Sequence, residues 1–135
     1  MRTQTAAGLC VTVVAAGMLL APSGAAARTA APTASFDISD ATTYTRGVVT
    51  WNDRSVTVTG EHSSPSADDC RATWVYTFDI ARNRLGSKGM GFVCDRTTTY
   101  DFTVPADTDG GADLVTVCLD DHDLNDLKCD SFSKP

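Results

Sequence analysis

The sequence contains no segment in which apolar residues recur at i, i+3, i+4 and i+7 beyond a turn or two, which excludes a helical core. It has only two histidines and no C-x-x-C spacing, so nothing in it reads as a zinc site. Basic residues are scarce: 11 Lys and Arg stand against 17 Asp and Glu, for a net charge of −6. Nucleic acid and anionic membrane both need a basic patch, and neither fits as a partner. The longest apolar run, residues 6–20, is about 15 residues and short of the ~20 that a spanning helix requires.

That run does have the form of a secretory signal. Arg2 precedes it and Ala25-Ala26-Ala27 follows, placing small residues at the −3 and −1 positions of a cut after Ala27. A cut after Ala31 is disfavoured by the Pro32 that would follow it. Residues 1–27 are therefore expected to be a signal peptide that carries Cys10 away. A secreted, extracellular chain of net charge −7 remains, with no membrane association. It keeps four cysteines, Cys70, Cys94, Cys118 and Cys129, and an even count in a short exported chain implies two disulfides. Of three connectivities, pairing of neighbours (Cys70–Cys94 and Cys118–Cys129) is favoured. By loop-closure entropy these would contribute about 3.5 and about 2.8 kcal/mol.

Residues 28–35 lack periodicity and read as a flexible leader, with a single domain over 36–135. Phe36 to Ser39 alternates briefly. Thr43 to Trp51 and Arg54 to Gly60 are rich in β-branched residues and flank an Asn52-Asp53 turn, which predicts a hairpin. Glu61 to Asp69 reads as a polar loop. Between Cys70 and Cys94, the residues Trp74, Tyr76, Phe78 and Ile80 share one face of an extended strand. They are the expected core stripe, followed by a turn at Asn83 to Lys88 and a second arm at Met90 to Val93. That register sets Cys94 opposite Val75 rather than Cys70. Tyr100, Phe102 and Val104 mark a further strand, and Asp113 to Leu119 the last clear one, before an acidic tail held by Cys129. Short strands at this spacing predict an all-β fold, an immunoglobulin-like β-sandwich with a small β-barrel as the alternative.

Candidate chemistry is concentrated in Asp120 to Asp130. Asp121, Asp123 and Asn125 offer oxygen ligands at alternate positions, as a calcium loop does. The stretch resembles the short Asp-x-Asp-x-Asp-Gly-x-x-Cys-Glu signature of the excalibur calcium-binding domain. Asp121, Asp123 and Asn125 stand at the ligand positions, Cys129 at the cysteine and Asp130 at the acid after it; Asp126 replaces the glycine. The other reading is an acidic, solvated loop clipped by a disulfide, with no cofactor. Glu61-His62-Ser63-Ser64 sets a base near hydroxyls, but neighbours in a loop point apart and no strained turn exposes a nucleophile. No catalytic residues are assigned. Among the aromatics, Trp51, at a strand end beside a turn, is the one expected to be exposed for binding.

Trp74-Val75-Tyr76 resembles the Trp-Arg-Tyr triplet of the small two-disulfide α-amylase inhibitors of streptomycetes, with Val75 where the inhibitors have Arg. More of the chain, about 44–130, resembles small secreted actinobacterial disulfide-linked β-sandwich proteins of unknown function. The likeness lies in Val56-Thr57-Val58-Thr59-Gly60, Cys70, Cys94, Val115-Thr116-Val117-Cys118 and Cys129. The bias to Ala, Thr, Asp and Arg, with few Lys and Ile, resembles exported proteins of high-GC actinobacteria. This resemblance implies export and a sandwich but no activity. The expected function is non-catalytic binding of an extracellular protein or glycan. The alternatives are a calcium-stabilised domain and an inhibitor of an extracellular hydrolase.

Overall fold

The computed structural model describes residues 28–135 and has eight strands, most of them rich in β-branched and aromatic residues. The expected signal peptide, residues 1–27, lies outside the described residues. The strands are β1 (Thr33–Asp40), β2 (Thr43–Trp51), β3 (Ser55–Ser64), β4 (Ala72–Phe78), β5 (Arg84–Gly89), β6 (Arg96–Pro105), β7 (Leu114–Asp120) and β8 (Asp126–Ser133). They make two four-stranded antiparallel sheets, ordered β1-β2-β3-β6 and β5-β4-β7-β8. No helix occurs among the described residues. The immunoglobulin order divides its second and third strands between sheets, whereas here β1, β2 and β3 form one meander.

The core between the sheets takes Ile38, Val49, Trp51, Val56, Val58 and Val104 from one side. From the other it takes Val75, Val115, Val117 and Leu119. The β2–β3 hairpin turns as expected, with the Asn52 side chain donating to Thr57 Oγ1 at 3.0 Å. Both favoured disulfides are present, Cys70–Cys94 and Cys118–Cys129. Two side-chain hydrogen bonds also join the sheets. Lys128 Nζ donates to the Ser39 carbonyl from β8 to β1, and Thr77 Oγ1 on β4 donates to the Pro105 carbonyl that ends β6.

Several expectations are corrected. The first strand starts at Thr33, inside the expected leader, because β1 pairs with β2 from Thr33↔Thr50 onwards. Most of the expected turn, Asn83 to Lys88, lies in strand β5, which is the second arm in place of Met90 to Val93, and the turn is Asp79 to Asn83. There Asp79 Oδ1 accepts from the Asn83 amide at 2.8 Å. With the register reset to Trp74↔Gly89 and an Arg71↔Val93 bridge beyond it, Cys94 falls beside Cys70, not Val75. The acidic tail is an edge strand, β8.

The largest correction concerns the aromatic stripe. Thr73, Val75 and Thr77 are fully buried, while Trp74, Tyr76 and Phe78 are half-buried on the outer side and Ile80 is 83% exposed. Thr73, Val75 and Thr77 sit opposite Leu119, Val117 and Val115 of β7, which fixes the inward face. The two buried threonine hydroxyls are satisfied within the core: Thr73 bonds Thr45 of the facing sheet, and Thr77 bonds Pro105. The stripe is therefore surface.

Candidate functional site

The outer face of the β5-β4-β7-β8 sheet is built on β4, which presents Trp74, Tyr76 and Phe78 in a row. Trp74 lies across β5, where a Cβ at Gly89 would overlap its ring. Tyr76 has the Arg84 guanidinium 6.0 Å from its ring centroid, and its hydroxyl donates to Asp126 Oδ1 at 3.4 Å. Beside the row, β7 and β8 are joined by the Cys118–Cys129 bridge between directly paired residues whose Cα atoms are 4.1 Å apart. Thr116 and Ser131 exchange a hydroxyl hydrogen bond of 2.8 Å. Tyr76, Phe78, Arg84, Thr116 and Asp126 line a shallow depression of about 460 Å³ floored by that disulfide. Its chemistry is aromatic with a cation on one side and carboxylates on the other.

Asp120 ends β7 at this face. It is 1% exposed, and burial first, then its hydrogen bond to Asp126, push its carboxyl up to about 7. Burial and the same carboxylates raise the Tyr76 phenol. Cys118, Cys129 and Asp126 bring their ligand atoms within 4.8 Å of one another, but oxidised cysteines offer no thiolate.

The residues expected to bind calcium are placed otherwise. Asp121 Oδ1 accepts from the backbone amides of Asp123 and Asn125, both at 2.9 Å, and Asn125 Nδ2 donates to Asp121 Oδ2 at 3.1 Å. These bonds, led by the Asn125 amide, hold the Asp121 carboxyl below its ordinary range. Asp123 instead faces His122 Nε2 at 3.3 Å. The Asp121 and Asn125 side chains are bonded to each other within the loop, and exposed Asp123 is turned to His122. Trp51 is 2% exposed rather than open for binding, since Val49 and Trp51 share the inner face of β2.

A buried polar chain crosses the core near this end of the molecule. Tyr100 and Thr45 share a 2.7 Å hydrogen bond, Thr73 donates to Thr45 at 2.7 Å, and His62 Nδ1 meets Thr73 Oγ1 at 2.8 Å. His62 Nε2 meets Ser64 Oγ at 3.2 Å. Burial lowers the His62 imidazole to about 4 and pushes the Tyr100 phenol up to about 12. His62 was expected in a polar loop. It is fully buried because β3 runs on to Ser64 and the Val56-Val58-Gly60 face continues through it. With both ring nitrogens engaged and no solvent access, it is not placed to meet a substrate.

No family model, curated protein or solved structure matches this chain.

Proposed function

We propose that this chain is an exported, non-catalytic binding protein that docks neutral polysaccharide on the outer face of β4. The observation that carries this is the partly exposed row Trp74, Tyr76 and Phe78 on a central strand. Aromatic rings held by a sheet give a pyranose face a flat apolar surface at little entropic cost. Arg84, Thr116 and Asp126 at its margins supply hydrogen bonds to hydroxyls. The net charge of −6 disfavours polyanionic glycans. Export accords with the signal peptide expected at 1–27 and with two disulfides in a short chain. Among the described residues no helix is long and apolar enough to cross a membrane. The immunoglobulin-like label extends to the layout of two packed sheets with loops at each end, and the docking face here is a sheet face rather than loops.

Tryptophan fluorescence tests the reading. Titration with soluble neutral polysaccharides should quench or shift emission in wild type and in Trp51→Phe, and leave Trp74→Phe silent. A flat titration across a panel of neutral glycans, or a response that survives Trp74→Ala together with Tyr76→Ala, overturns it.

A further inference from the structure

We propose that Asp120 and Asp126 form a divalent-cation site, of calcium chemistry, at the margin of the outer groove. The pairing is produced by an irregularity in the sheet. β7 and β8 run in register to Leu119↔Lys128 and then skip, so that Asp120 faces Asp126 and Leu127 is the extra residue. Bulges of this kind re-aim a side chain. Here the shift replaces an Asp–Leu juxtaposition with two carboxyl groups within hydrogen-bonding reach.

The second observation is independent of the acidic composition. Asp120 is 1% exposed, and its Oδ1 has no hydrogen-bond partner at all. Buried polar atoms are nearly always partnered, and a buried carboxylate oxygen without a donor costs several kcal/mol, on the order of an isolated buried polar group or more. No basic group answers it. Among the described residues no ion pair involves Asp120 or Asp126. Lys128 is engaged with the Ser39 carbonyl, His122 faces Asp123, and Arg84 lies over Tyr76. The surrounding charge is negative.

The donor chemistry selects the ion. Two carboxylates offer up to four hard oxygens, and exposed Asp126 leaves the solvent side open for the waters that calcium retains. The sulfurs nearby are in a disulfide, which removes the thiolates that zinc would select. Of the set proposed by spacing alone, the Asp121 carboxylate and the Asn125 amide are taken up by loop bonds and Asp123 faces His122, whereas Asp120 keeps an oxygen with no partner.

The mature chain tests this directly, with terbium(III) as the probe and no sugar present, so the outcome does not depend on polysaccharide docking. Tyr76, whose hydroxyl bonds Asp126, is the sensitiser. Excitation of the aromatics should give saturable terbium emission that calcium displaces. Asp126→Asn, an exposed substitution that leaves the core untouched, should weaken terbium binding at least tenfold. Asp120→Asn should do the same, and Asp123→Asn should not. Absence of saturable emission overturns the site. So does emission unchanged in Asp126→Asn, or emission lost in Asp123→Asn, which would return the ion to the loop.

Discussion

The Trp74 ring occupies the space that any Cβ at Gly89 of the adjacent strand would fill. The glycine thereby sets the attitude of the ring as well as the packing of the strand pair, since Trp74 and Gly89 are direct cross-strand partners. Gly89→Ala would bring a Cβ to 2.7 Å from the Thr73 carbonyl as well as into the Trp74 ring, so it should displace the indole and disturb the β4–β5 pairing, with a loss of stability of about 2–3 kcal/mol from overpacking. It should weaken polysaccharide binding by a larger factor than it lowers the melting temperature would suggest. Calorimetry and a glycan titration on the same variant check both.

Buried His62 makes stability depend on pH in a defined direction. Its imidazole is lowered from an ordinary 6.5 to about 4 in the folded protein. The unfolded chain therefore takes up a proton as pH falls below 6.5, while the folded chain does not until about 4. The His62 contribution is complete above pH 6.5 and is lost as pH falls towards 4, by about 3 kcal/mol in all. Asp120 acts with the opposite sign, because its folded carboxyl is raised. The readout is accordingly the difference between wild type and His62→Gln in calcium-free buffer. Urea midpoints should show wild type gaining stability relative to the variant as pH rises from 4 to 6.5. A constant difference would mean that His62 does not titrate in this way.

The two disulfides should separate in function. Replacing both Cys118 and Cys129 by Ala opens the β7–β8 pair under the groove, at a cost of about 2.8 kcal/mol, and should weaken glycan binding. Replacing Cys70 and Cys94 removes a longer loop closure, costs about 3.5 kcal/mol, and should leave the glycan affinity of the folded fraction unchanged. Denaturation curves and titrations of the two double variants make the comparison.

The β1–β2 turn carries a removable strain. Ala41 has φ of 52°, in the left-handed region that costs a residue with a Cβ roughly 1 kcal/mol. Ala41 is exposed and its neighbours Asp40 and Thr43 are paired across the turn. Ala41→Gly should raise stability by up to about 1 kcal/mol, read as a higher urea midpoint.

Much of the framework is legible in the residues. The Val56-Val58 alternation with Asn52-Asp53 before it is enough to place the β2–β3 hairpin, and neighbouring cysteines do pair. What alternation cannot decide is which side of a strand faces inward. Trp74, Tyr76 and Phe78 look like core until Val75 is seen opposite Val117, and until Thr73 and Thr77 find acceptors on the other sheet. Those are contacts between residues distant in sequence. β5 has the composition of a turn, yet its glycines serve close approaches, Gly86 to the Pro105 carbonyl and Gly89 to Trp74. His62 was legible in principle: reading the strand through Gly60 puts it on the face of Val56 and Val58. The Asp120–Asp126 pairing was not, because it depends on a slip of one residue between β7 and β8.

The meeting of the sheets at their margins bears on how any partner can attach. β8 reaches β1 through Lys128, and Thr77 and Gly86 crowd the Pro105 end of β6. Strand addition needs an open border with a row of unanswered amides and carbonyls. Border pairing is opposed at those two points, by the Lys128 side chain on β8 and by the crowding at the Pro105 end of β6. A ligand is left to land broadside, on a surface of side chains rather than on the backbone.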